Sequence, residues 1–260
     1  MKTARIAGLF GALVAFMHIA LAQDGAAPAC GAQTIGIFVA GAAIDGRSFR
    51  LKDGRDVRLA GIEVPPGDAA RQALEKRLAG SLVLLKRMEP GSDRYGRILA
   101  HVFALRDGAE ALIAQEMVSE GHARAGAHIG EPACATALLA AEGSARKAKL
   151  GLWADPSYAI KSANDAAALL AARGRFTVAE GPVLSVRESA GTIYINFGRV
   201  WSRNLTVSIL KRNERLFAAA GIDPKKLEGR RLRVRGWVEE RGGPRIEADW
   251  PEQIEIADRE

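Results

Sequence analysis

Arginines set close to acidic and aromatic residues are the first feature of this chain that could do chemistry. Asp93-Arg94-Tyr95-Gly96-Arg97 places two guanidinium forks and a phenol within five residues, and Arg58 follows Val57 in a segment that alternates like a strand. A planar fork meets a pair of phosphate oxygens better than an ammonium does, so phosphate is the group these residues suit. Asp45, Glu63 and Asp68 lie in one neighbouring stretch and could assemble hard oxygen ligands for a divalent ion. A second series, Arg231-Leu232-Arg233-Val234-Arg235, alternates cations with apolar residues and so puts the arginines on one face of a strand. With Tyr194, Phe197, Trp201, Trp237 and Trp250 as stacking surfaces, that face would suit a nucleic-acid single strand. The plainer alternative is a solvated arginine face beside core aromatics. The four histidines, His18, His101, His122 and His128, make no metal-ligand spacing. Gly-x-Ser-x-Gly, the phosphate-binding P-loop and the dinucleotide fingerprint are missing.

The elements that must position these residues belong to a globular chain of one or two domains: 260 residues, 26% charged and 48% hydrophobic. That composition excludes intrinsic disorder, collagen-like repeats and a disulfide-dense mini-protein. The net charge of +7 suits a polyanionic partner without requiring one. Lys2 and Arg5 precede an apolar run from Ile6 to Leu21, and Ala20-Leu21-Ala22 offers small residues before Gln23. This is the pattern of a cleaved secretory signal over residues 1–22. It predicts a periplasmic or secreted protein with no membrane contact after cleavage. Losing Lys2 and Arg5 with the signal lowers the charge from +7 to +5. The two cysteines, Cys30 and Cys134, form an even set in an oxidising compartment, so one disulfide is expected between the mature N-terminus and a distant helix.

Strands are expected at 34–44, 48–51, 56–62, 81–89 and 98–105, with a helix from Asp68 as its cap through 78. Helices follow at 109–120 and 132–148. Five strands with one helix inserted are the order of a small Greek-key barrel of the OB type. Beyond a short helical linker the strands resume at 176–186, 192–197, 205–210, 231–239 and 245–248, with a helix at 213–220. The fold class expected is mainly β with helices (α+β), one OB barrel followed by a second, smaller OB-like barrel. The boundaries fall at 1–22 for the signal, 23–160, a helical linker at 161–174, and 175–260.

Three segments carry a family resemblance. They are Ala43-Ile44-Asp45-Gly46-Arg47-Ser48-Phe49 leading to Val57-Arg58-Leu59-Ala60-Gly61-Ile62-Glu63-Val64-Pro65, then Ser92-Asp93-Arg94-Tyr95-Gly96-Arg97, then the helix end at Ala145 to Lys149 with Leu150-Gly151-Leu152-Trp153. In this order and spacing, residues 34–155 resemble the staphylococcal nuclease (thermonuclease) family. The resemblance implies an OB barrel, calcium-assisted phosphodiester hydrolysis, and a scissile phosphate clamped by Arg58 and Arg97. Arg94 and Tyr95 match positions that touch a neighbouring phosphate, and Asp45 matches an acid near the metal.

The carboxylates depart from the family pattern. Arg47 stands where the first metal-binding Asp is expected, Glu63 replaces the second, and Pro66 occupies the place of the water-orienting Glu. Val64 replaces a Thr, and the tyrosines flanking the nucleotide pocket are lost at Ala127 and Ile129. Arg47 would repel a divalent ion, so Glu63 and Asp45 are expected to pair with it, and Pro66 has no group to accept a proton. The expected activity is therefore binding of nucleic-acid or nucleotide phosphates by Arg58 and Arg97, with Arg47, Arg94 and Tyr95 beside them and catalysis impaired or lost. Two alternatives stand beside it. One is a calcium-dependent phosphodiesterase in which Asp45 and Glu63, with Asp68, hold metal and Glu63 joins Arg58 and Arg97 in catalysis. The other is a periplasmic protein-binding scaffold.

Overall fold

Thirteen residues without a polar interruption of the pleat let the first strand, β1 (Gln33–Asp45), serve two partners. Its first part pairs antiparallel with β5 (Leu82–Ser92) and its second with β2 (Ser48–Leu51). The strand bends where it changes partner: a Cβ on Gly41 would lie 2.5 Å from the Arg50 carbonyl oxygen, so only glycine admits that approach. β3 (Asp56–Leu59) pairs antiparallel with β2 and parallel with β6 (Ile98–Arg106), which returns to β5. The five strands close into a barrel of the OB type. Phe49, Leu51, Val57, Leu59, Val83, Leu85 and Val102 fill it, and Phe103 points to the opposite face of β6. The computed structural model describes residues 29–257, so the expected signal at 1–22 lies outside the described residues.

Two local expectations are corrected. Asp68 does not cap α1 (Asp68–Leu78): Gly67 takes that place with φ 123°, and Asp68 lies inside the first turn, paired with Arg71 at 3.2 Å. The glycine-only conformation after Pro65-Pro66 sets the helix start, and an acid in the first turn still complements the helix dipole. The segment 109–120 is not helical throughout. Ala109–Leu112 forms β7, paired with β6, before α2 (Ile113–Ser119). Asp107 and Gly108 both have positive φ, which makes the tight hairpin turn that Asp-Gly favours. A short ladder, β4 (Ile62–Glu63) with β8 (Arg124–Ala125), and α3 (Pro132–Lys147) complete this half. The expected disulfide is present: Cys30 is bonded to Cys134 on α3, 104 residues away.

The second half has its own core, from Ala163 to Ile254. β9 (Lys161–Ser162) and α4 (Ala166–Leu170) lead into β10 (Phe176–Pro182), β11 (Ser185–Ser189), β12 (Thr192–Asn196) and β13 (Thr206–Leu210). α5 (Glu214–Ala219), β14 (Arg231–Glu240), β15 (Pro244–Glu247) and β16 (Ile254–Ile256) follow. The run expected at 176–186 divides at Pro182, which cannot donate to a ladder. The sheet runs β11-β12-β13-β15-β14-β10-β9, with β16 on β14 and the β13–β15 pairing parallel. Among the described residues no helix is long and apolar enough to cross a membrane.

Two of the three arginines on the β14 face are withdrawn from water, and only Arg231 at its start stays exposed. Arg233 and Arg235 are buried, and Arg235 has no exposed surface at all. Arg235 spans the two halves, 2.8 Å from Glu142 on α3, paired with Glu255, and donating to the Ala125 carbonyl oxygen at 3.1 Å. Burial works against its charge, but the two carboxylates overcome this and raise its pKa further. Glu180 takes Arg233 at 2.8 Å and Arg231 at 2.8 Å. Around this centre His128 stacks on Trp250 with ring centroids 3.6 Å apart, and Gly130 N–H donates to Glu252 at 3.1 Å. Alternation alone could not reveal that Arg235 meets the first half of the chain rather than water.

Candidate phosphate-binding site

The site is built where β2 begins beside β3 and the 93–97 turn. The Asp45-Gly46-Arg47 turn lies close against α1, since a Cβ on Gly46 would stand 2.6 Å from Val64 and 2.7 Å from Ala70. That approach brings Arg47 to Glu63: its Nη1 donates to Oε2, and both side chains are about one-fifth exposed. Arg47 N–H also donates to Asp45 Oδ1 at 2.8 Å. Arg58 is placed by its pairing with Ser48 on one side and Leu99 on the other.

Asp93 is the pivot of the 93–97 turn. Its carboxylate accepts from Arg97 Nε at 2.7 Å and from the backbone N–H groups of Tyr95 and Arg97 at 2.9 and 3.1 Å. Burial opposes its charge, but these bonds prevail and hold its pKa below the usual carboxylate range. Arg97 Nη1 also donates to the buried Ser48 hydroxyl at 3.0 Å and lies 3.8 Å from Asp45. Arg94 Nη2 donates to the Tyr95 hydroxyl at 2.7 Å, and the Tyr95 ring is two-thirds exposed. Arg47, Arg58, Arg97, Asp45 and Glu63 thus come together, with Arg94 and Tyr95 on the outer edge. Sequence reasoning did not single out Asp93 and Ser48. The Asp that opens a tight turn before Tyr95-Gly96-Arg97 was the available signal for the first.

Arg58 differs from its neighbours. Its one ion pair among the described residues is with Asp93, at 3.9 Å, and its side chain is only 22% exposed. Burial, then the cations of Arg47 and Arg97, push its pKa down. A guanidinium penalised in this way gains most from an incoming anion.

Residues 56–155 match the family model of the staphylococcal nuclease homologue. The chain carries a staphylococcal nuclease homologue domain. Comparison with curated proteins gives no match. The closed five-stranded barrel agrees with that match, but the acids of the domain do not fit a divalent ion. Glu63 is engaged by Arg47, Asp45 is turned onto Arg47 N–H and toward Arg97, and Asp68 pairs with Arg71 on the surface. Among the described residues the single His/Cys/Asp/Glu group with ligand atoms within 4.8 Å of one another is Cys30, His101 and Cys134. There the two sulfurs are already bonded to each other.

Proposed function

We propose that the nuclease homologue domain binds a nucleic-acid or nucleotide phosphate at Arg58, flanked by Arg97 and Arg47, and that metal-assisted hydrolysis is lost. The observation that carries this is the state of Arg58: mostly buried, depressed in pKa by burial and by two arginines, and 3.9 Å from its nearest carboxylate. A phosphate oxygen pair would supply the missing partner. Arg47 occupies with its own cation the charge role that a divalent ion would fill beside Glu63, and Pro66 leaves no base to activate water. Arg94 and Tyr95 would meet the next phosphate along the strand. Export accompanies this reading, supported by the residue 1–22 pattern and by the disulfide, which suits an oxidising compartment. So does a division of the chain after residue 160, with 161–174, expected as a linker, packing into the second core through Ala163, Leu169 and Ala172.

The test is to incubate the purified protein with heat-denatured DNA in calcium and in chelator, beside Arg58→Ala. We expect no acid-soluble release in either. We expect DNA binding that falls steeply with salt and weakens about tenfold in Arg58→Ala, equivalent to ~1.4 kcal/mol. Calcium-dependent release abolished by Arg58→Ala would establish the phosphodiesterase alternative. Absence of both binding and release would leave the scaffold.

A further inference from the structure

The second half carries an unassigned cleft on the sheet face opposite its core. In β12, Ile193 and Ile195 point into the core, so Tyr194 and Asn196 share the other face. Val207 and Ile209 in β13 and Ile246 in β15 are core residues too, which puts Thr206, Ser208 and Arg245 on that same face. Register extends it across strands: Arg187 lies opposite Tyr194, Asn196 opposite Thr206, and Thr206 opposite Arg245. Arg187, Tyr194, Asn196, Thr206 and Arg245 line a cleft of about 530 Å³ whose rim includes Trp201 and Arg241. That volume is in the range that holds small ligands.

Three features of the cleft point to one kind of ligand. Trp201 is 67% exposed, yet its backbone is fixed: a Cβ on Gly243 would lie 1.9 Å from the Trp201 carbonyl oxygen. A large ring held on a rigid turn and left in water is a stacking surface with little ordering cost. Asn196 is only 3% exposed, and its carboxamide makes just two long bonds, 3.4 Å to Ser185 and 3.3 Å from Thr206. It keeps donor and acceptor capacity for a planar edge. The cations outweigh the acids: Glu239 and Glu247 lie against Arg241 and Arg245, Glu188 is taken by Lys211 and Lys225, and Arg187 remains. The Nε of Arg245 is buried without a hydrogen-bond partner.

We propose that this cleft binds a segment of single-stranded nucleic acid, its bases stacked on Trp201 and Tyr194 and edged by Asn196, its phosphates met by Arg187 and Arg241. The site extends the nucleic-acid reading of the chain but does not depend on the Arg58 pocket. It also relocates the stacking aromatics away from β14, where Glu180 takes Arg231 and Arg233 and Glu142 of the first half takes Arg235.

The experiment is fluorescence anisotropy of a labelled 12-nucleotide single strand with five full-length proteins: unaltered, Arg58→Ala, Trp201→Ala, the double variant, and Arg187→Glu. Unchanged melting temperatures identify folded variants, and the exposed Arg187 provides a charge reversal that leaves the Trp201 turn intact. We expect Trp201→Ala to weaken single-strand binding about tenfold, within the range for loss of one stacked base, in both Arg58 backgrounds. Arg187→Glu should weaken it comparably at low salt, and duplex of the same sequence should compete poorly. Equal affinity for Arg58→Ala and the double variant would overturn the cleft while leaving the Arg58 pocket standing. Loss with Trp201→Ala but none with Arg58→Ala would support the cleft and refute the pocket. No binding by the unaltered protein overturns both, and displacement of the strand by a neutral oligosaccharide at any salt would assign the cleft to sugar.

Discussion

Two clusters of arginine and carboxylate sit about one short ladder apart in this chain and have opposite characters. At Arg235 the guanidinium is fully enclosed, with Glu142, Glu255 and a backbone carbonyl around it. At Arg58 the guanidinium is mostly buried but has one carboxylate at 3.9 Å. The β4–β8 ladder joins them: Ile62 and Glu63 pair with Ala125 and Arg124, and Ala125 also accepts from Arg235. Closure makes an arginine structural, and an incomplete shell makes it available to an anion. Both clusters are made of arginine and carboxylate, so the difference lies in how completely the acids surround each cation.

The largest effect that could break this contrast is at the closed cluster. Arg235→Ala strands Glu142, which has no exposed side-chain surface, and should cost about 3–5 kcal/mol in urea unfolding. Arg235→Met with Glu142→Leu should recover much of it; a single variant as stable as the parent would remove the closed cluster's structural role. At the open cluster, Arg47→Asp replaces the cation beside Glu63 with an acid. Calcium should then raise the melting temperature of the variant and not of the parent, the stabilisation reaching ~2.7 kcal/mol at a hundredfold excess over Kd. No calcium response would mean that more than Arg47 excludes the ion. Smaller again, Arg58→Ala should leave stability within about 0.5 kcal/mol, since it uncovers no buried carboxylate, while reducing affinity for single-stranded DNA.

A last measurement separates the clusters by pH. Burial holds His128, stacked on Trp250, down at about 4 rather than 6.5. Between those values the unfolded chain binds the proton and the folded chain does not, so stability should fall as pH drops from 6.5 toward 4. His128→Phe should flatten that part of a melting-temperature profile. The Arg58 pocket is made of arginines and carboxylates, and its DNA affinity at fixed salt should change far less over the same interval.

The barrel was legible because its signals are local. Turn glycines, alternation from 34 on and the Asp-Arg-Tyr-Gly-Arg spacing each act within a few residues. Asp107-Gly108 carried the hairpin signal as well, and the helical reading of 109–120 passed over it. The pairing of Arg47 with Glu63 followed from charge at two neighbouring positions. What stayed hidden was long-range. The enclosure of Arg235 depends on Glu142 of α3, nearly a hundred residues earlier, and Arg58's exceptional state depends on how Asp93 divides its oxygens between Arg97 and its own turn. Alternation reports two faces of a strand but not what each one meets.

The enclosure of Arg235 has a consequence for how this chain can vary. A guanidinium on the second half that depends on Glu142 of the first makes each half part of the other's solvent. Neither half can be exchanged for a relative of similar shape unless the partner acid or cation travels with it. The two halves are therefore expected to be inherited together and to melt in one transition.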